Sequence, residues 1–101
     1  MATITITRDR GGNVVYDPPE LTIATTGDFV IWSNHDPEAP HQPTLQGKAA
    51  DYWMNDQLPP FEQGQPAACS PVINLAGTAG QPITYVDGLE PDAGSGTINF
   101  V

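Results

Sequence analysis

Few residues in this chain are equipped for chemistry. There are two histidines, His35 and His41, a single cysteine, Cys69, and twelve acidic residues against three basic ones in 101 positions. His35 and His41 sit in the loop-like stretch NHDPEAPHQPT, separated by Pro37 and Pro40. Imidazole combined with carboxylate is a donor set that suits zinc, copper(II) or nickel. Carboxylates available to complete such a set are Asp87 in PITYVDGLEPD and, close behind it, Glu90 and Asp92. His41, His35 and Asp87 are therefore the candidate metal ligands, and copper or zinc the ions they would take. The competing reading makes His35 a surface loop residue and His41 a residue at the end of a barrel, bonded to backbone, with no cofactor expected. Cys69, in AACSP, has no electropositive neighbour to make it a ligand and reads as a small buried or strand-edge residue.

Catalytic patterns are missing. Ser33, Ser70 and Ser95 lie in no nucleophile-elbow context, the cysteine has no assigned base, and no glycine-rich phosphate loop ends in lysine. The chain therefore reads as a non-enzyme. A formal charge of -9 repels phosphate backbones, so nucleic acid is not an expected partner, whereas long-range steering favours a basic protein. No apolar window is long enough to span a bilayer. MATITITRDR lacks a basic region followed by an apolar stretch, which places the chain in the cytoplasm as written, or outside it if this is a trimmed mature form.

The elements that must position these residues read as short strands. Gly 10 and Pro 11 favour tight turns over long helices. Ala2 to Thr7 alternates strictly, setting Ile4 and Ile6 on one face and threonines on the other. Val14 to Tyr16 is a short strand broken by Asp17-Pro18-Pro19, and Leu21 to Thr25 alternates again. The turn at Gly27-Asp28 opens the run Phe29 to Trp32, apolar on both faces and so central to a sheet. Pro71 to Leu75, Pro82 to Asp87 and Thr97 to Val101 complete about seven strands. Ala2 to Thr7 and Thr97 to Val101 are expected at sheet edges, which allows a monomer or a weak edge-strand dimer. Residues 45–69 are irregular, with one or two helical turns over Ala49 to Asn55 and Tyr52, Trp53 and Met54 as a lid and partner surface. The expectation is a single domain over 1–101, an all-β, two-sheet sandwich.

The order of these pieces resembles the cupredoxin family, the small blue copper proteins of the plastocyanin and amicyanin type. The likeness starts at Tyr16-Asp17-Pro18-Pro19-Glu20-Leu21-Thr22-Ile23 and continues through Gly27-Asp28-Phe29-Val30-Ile31-Trp32-Ser33-Asn34. His41 then stands where the family's first copper-binding histidine stands, Tyr85-Val86-Asp87 resembles the segment carrying its thiolate, and Gly96 to Phe100 resembles its closing strand. The resemblance implies a Greek-key β-sandwich, but the thiolate position falls on Asp87. The following loop, Gly88 to Ser95, holds neither histidine nor methionine. A blue copper site needs two imidazoles and a thiolate with a weak axial ligand. The sequence thus points to a non-enzymatic cupredoxin-like binding or accessory module lacking a type 1 copper centre. The alternative is a copper-binding or electron-transfer protein with an unusual site around His35, His41 and Asp87, drawing on Met54 or Cys69.

Overall fold

The structure, a computed structural model, describes residues 2–45, 57–90, 92 and 94–101. The helical turns expected over Ala49 to Asn55 and the lid of Tyr52, Trp53 and Met54 lie outside the described residues.

Among the described residues nine strands run in the order β1 (Ala2–Arg8), β2 (Val14–Asp17), β3 (Glu20–Ile23), β4 (Asp28–Asn34), β5 (Pro43–Leu45), β6 (Ala68–Cys69), β7 (Ile73–Leu75), β8 (Ile83–Asp87) and β9 (Ser95–Phe100). The two beyond the expected seven are short pieces, β5 and β6, at the borders of the segment read as irregular. They exist because the long strands β8 and β4 offer them backbone partners.

One sheet has the order β2-β1-β4-β6, with β7 also paired to β4; the other has the order β3-β9-β8-β5. β1 runs parallel to β4, with Ile6 opposite Asn34, and β3 runs parallel to β9. These pairings correct the expectation about edges. β1 lies hydrogen-bonded between β2 and β4, and β9 between β3 and β8. The edges belong to β2, β3 and β5, together with the short β6 and β7.

The core lies between the sheets and follows the period-2 pattern of the strands. Ile4 and Ile6 from β1, Val30 and Trp32 from β4, Tyr16, Tyr85, Ile98 and Phe100 all point inward. β4 is central, as its composition predicts, yet only one of its faces is sealed, since Phe29 is 52% exposed. At the middle of the core, Tyr85 meets Trp32 and Tyr16 edge-on, with ring centroids 5.4 Å and 5.0 Å apart. Such T-shaped contacts set the positive ring edge against the negative face. Tyr85 has room because its cross-strand partner is Gly96, whose missing side chain leaves the space the phenol ring covers. Gly27, with φ 104°, makes the turn into β4, a conformation that other residues rarely adopt. No helix among the described residues is long and apolar enough to cross a membrane.

Candidate functional site

The chemistry gathers at the end of the sandwich where β1, β4 and β8 finish. β4 stops at Asn34, a fully buried residue whose amide nitrogen donates to the carbonyls of Ala39, Leu58 and Pro59 at 3.3, 3.1 and 3.0 Å. Its amide oxygen accepts from the Asp36 backbone N–H at 2.9 Å. One side chain thus folds the proline-punctuated loop back over the sheet end. His41 is clamped by a two-way backbone bridge with Leu58, at 3.0 and 2.7 Å.

Both nitrogens of the buried His41 ring face carboxylates. Nδ1 contacts Asp87 Oδ2, and Nε2 lies 2.7 Å from Asp36 Oδ2. Carboxylates on both sides favour a ring that donates from both nitrogens, the imidazolium form. Burial by itself would lower the His41 pKa, but the bonds to Asp87 and Asp36 outweigh it and hold the pKa above the ordinary value of 6.5. Asp87 is the mirror case. Burial would raise its pKa, yet His41 and the backbone N–H groups of Leu89 and Gln42, at 3.0 and 3.2 Å, keep it below 3.8. Asp36 is lowered likewise against its burial, by the Glu38 backbone N–H, His41 and Arg8.

Arg8, the last residue of β1, completes the network. Its Nε donates to Asp36 Oδ2 at 3.0 Å and one terminal nitrogen donates to Glu90 Oε2 at 2.9 Å, while Glu38 lies 3.6 Å from Nε. The bond to Glu90 is the leading reason its pKa is raised. The guanidinium also donates to the Gly12 carbonyl at 2.8 Å. Arg8 and the His41 ring thus stand among three linked carboxylates, Asp36, Asp87 and Glu90. Tyr16 sits beneath them, its hydroxyl buried without a hydrogen-bond partner among the described residues. Burial first, and then the charge of Asp87, raises its pKa.

Of the candidate ligands, the structure brings His41 and Asp87 together and adds Glu90, whose carboxylate is 3.9 Å from His41 Nδ1. His35 does not join them. It is exposed, its Nε2 lies 3.1 Å from Ser33 Oγ, and its ring stacks on Phe61 with centroids 5.6 Å apart. The reason is strand parity: β4 ends with Trp32 turned into the core and Ser33 turned away, and His35 follows Ser33. Asp92 is exposed in the turn after β8. Cys69 is exposed on the edge strand β6, the second of its two expected settings, with Ser33 as its register partner. Arg8 and Asp36 went unread in the sequence. The available signal was scarcity: with three basic residues in the chain, an arginine ending an alternating strand has to meet acid somewhere.

A fern plastocyanin structure, from Dryopteris crassirhizoma, superposes on this chain with a TM-score of 0.64, at 20% identity, covering 98% of this chain and 99% of that one. The chain has the cupredoxin fold. A purple cupredoxin from Nitrosopumilus maritimus matches with a TM-score of 0.58 at 17% identity over 100% of both chains. A reduced amicyanin variant gives 0.59 at 18%, covering 98% of this chain and 82% of its own. At such identities the cupredoxin likeness is one of fold. No protein-family model matches the chain, and no curated protein matches it in sequence.

The residues present do not fit the trigonal site of a blue cupredoxin. Among the described residues no thiolate stands beside His41: its Nδ1 contacts the Asp87 carboxylate, the one cysteine lies on the other sheet, and the second histidine is turned away to Phe61. What the arrangement does chemically is hold a buried imidazole between two carboxylates, a setting that favours its protonated form.

Proposed function

We propose that the chain is a non-enzymatic cupredoxin-fold binding module whose copper pole has become an ionic clamp. The observation that carries this reading is the engagement of both His41 nitrogens by Asp36 and Asp87, which leaves no ring lone pair to offer a metal. The clamp keeps a surplus of negative charge at the pole. Glu38 and Glu90, with side chains 74% and 34% exposed, present it to solvent. A basic protein is the partner such a surface favours, in keeping with the net charge of -9. Titration of the full chain with copper(II), followed by absorption and electron paramagnetic resonance, tests the reading. No intense visible thiolate-to-copper band is expected; its appearance would overturn the proposal.

One observation favours a second reading. Ligand atoms of His41, Asp87 and Glu90 all lie within 4.8 Å of one another, a grouping open to a divalent cation such as zinc. Such a cation would have to take the proton's place at Nδ1 and draw Glu90 away from Arg8. Calorimetric titration with zinc(II) in a Cys69→Ser background separates the two. Binding that Glu90→Gln weakens supports the metal site, and no heat supports the clamp.

A further inference from the structure

The outer face of the five-stranded sheet differs from the rest of the surface. Alternation turns Ile4, Ile6, Val30 and Trp32 into the core, so Thr3, Thr5, Phe29 and Ile31 face outward. Thr3 stands beside Ile31 across the β1–β4 pairing, and Asn74 beside Phe29 across the β4–β7 pairing. On the second register Val72, the residue before β7, falls opposite Ile31. Phe29 is 52% exposed and Val72 57%, so two of the four large apolar side chains left open among the described residues share this patch. The outer face of the smaller sheet has no counterpart: Thr22, Thr84, Thr97 and Asn99 occupy its middle. Charge is scarce on the patch as well. The one charged side chain that the described strands of the larger sheet turn outward is Asp17, at the end of the edge strand β2. The other described acids lie in loops or at strand ends.

From this pattern we infer that the patch of Phe29, Ile31 and Val72 is the contact surface of a homodimer, with a second copy of this chain stacked on it sheet to sheet. The distribution of charge selects that occupant. Two copies that each carry -9 repel one another along most approaches, while a basic partner is drawn to the acidic loops. This face offers a basic partner no counter-charge, yet it lets two like-charged copies meet with their acids held at the rim. The patch is also self-complementary, as a two-fold interface requires, since aromatic and β-branched groups interleave with their own kind between packed sheets. Its strength follows from its size. Strands of seven residues at about 3.3 Å per residue, four abreast at about 4.8 Å, give a footprint on the order of 400 Å² per copy. Twice that, roughly 800 Å², belongs to weak and transient association. β4 begins at the patch and ends at the His41 pole, so the dimer and a basic protein bound at the pole use different surfaces.

Sedimentation velocity of the full chain at concentrations up to about 1 mM, where weak association becomes populated, tests the inference. A reversible dimer is expected, and added sodium chloride should tighten it, because screening relieves the repulsion between like-charged copies. That sign is opposite to the one expected for a basic partner at the pole. Phe29→Asp and Val72→Asp should each weaken association at least about tenfold, the loss that follows a charge placed at the centre of an apolar contact. Both side chains are largely exposed, so neither variant threatens the fold. In the parent the methyl resonances of Ile31 and Val72 should shift with concentration, while the edge amides of β3 and β5 keep their hydrogen-exchange rates. A chain that sediments as a monomer throughout overturns the dimer and leaves the patch to a different protein. A dimer untouched by both variants, or one that protects the edge amides, overturns the face in favour of strand addition.

Discussion

His41 is the residue on which the pole turns, and its removal separates a buried charge network from a set of incidental contacts. With both carboxylate partners and the ring fully buried, His41→Gln leaves Asp36 and Asp87 without the cation between them. Breaking a buried ion pair from one side costs about 3–5 kcal/mol. Urea denaturation of that variant should show a loss on this scale; a loss below about 1 kcal/mol would mean the network is solvent-screened. The pH dependence follows from the same shifts. His41 has a raised folded pKa, so its contribution is complete below its unfolded value of 6.5 and is lost as pH rises through the folded one. Asp36 and Asp87 have depressed folded values, so theirs is complete above 3.8 and lost as pH falls through the folded values. Thermal stability should therefore peak in the mildly acidic window between those reference values and decline above it. His41→Gln should flatten the alkaline limb.

Elements show where reading the sequence works and where it stops. The alternation in β1 and the turn into β4 were legible because strand periodicity is local: Ile4, Ile6, Val30 and Trp32 are core residues, as their spacing predicts. The partnership of His41 with Asp87 was legible through the order of elements shared with cupredoxins. Its third and fourth members were not, since Arg8 and Asp36 meet across the β1–β4 pairing, and register is not written in either strand alone. The same limit placed β1 and β9 wrongly at edges. Cross-strand space gives a prediction at this scale. A Cβ on Gly96 would stand 2.1 Å from the Tyr85 hydroxyl oxygen, and the ring is already enclosed by Trp32 and Tyr16. Gly96→Ala should thus destabilise by about 1–3 kcal/mol, the range for overpacking a core. A variant as stable as the parent by chemical denaturation would show that the aromatic cluster has slack.

Over the whole molecule, the sandwich is closed by packing and by charge. Its aromatic and aliphatic core forms one contiguous cluster contributed by both sheets. On the proposed reading, stability does not depend on a bound ion. The midpoint of thermal unfolding should be the same with and without a strong chelator, whereas a metal holding the pole would shift it by mass action. The acidic surface sets the expected partner as well. Association with a basic protein should slow as ionic strength rises, since surface charges more than about 8–10 Å apart are screened at ordinary salt.

The bond between Arg8 and Glu90 joins residues 82 positions apart. A link of that span closes only after the intervening chain has found its place, because the entropy of a large loop must be met before the contact returns anything. The pole is therefore expected to form late in folding. In a chevron experiment its variants should hasten unfolding and leave the refolding arm where it was, so that the ionic clamp governs how long the native protein lasts rather than how quickly it forms.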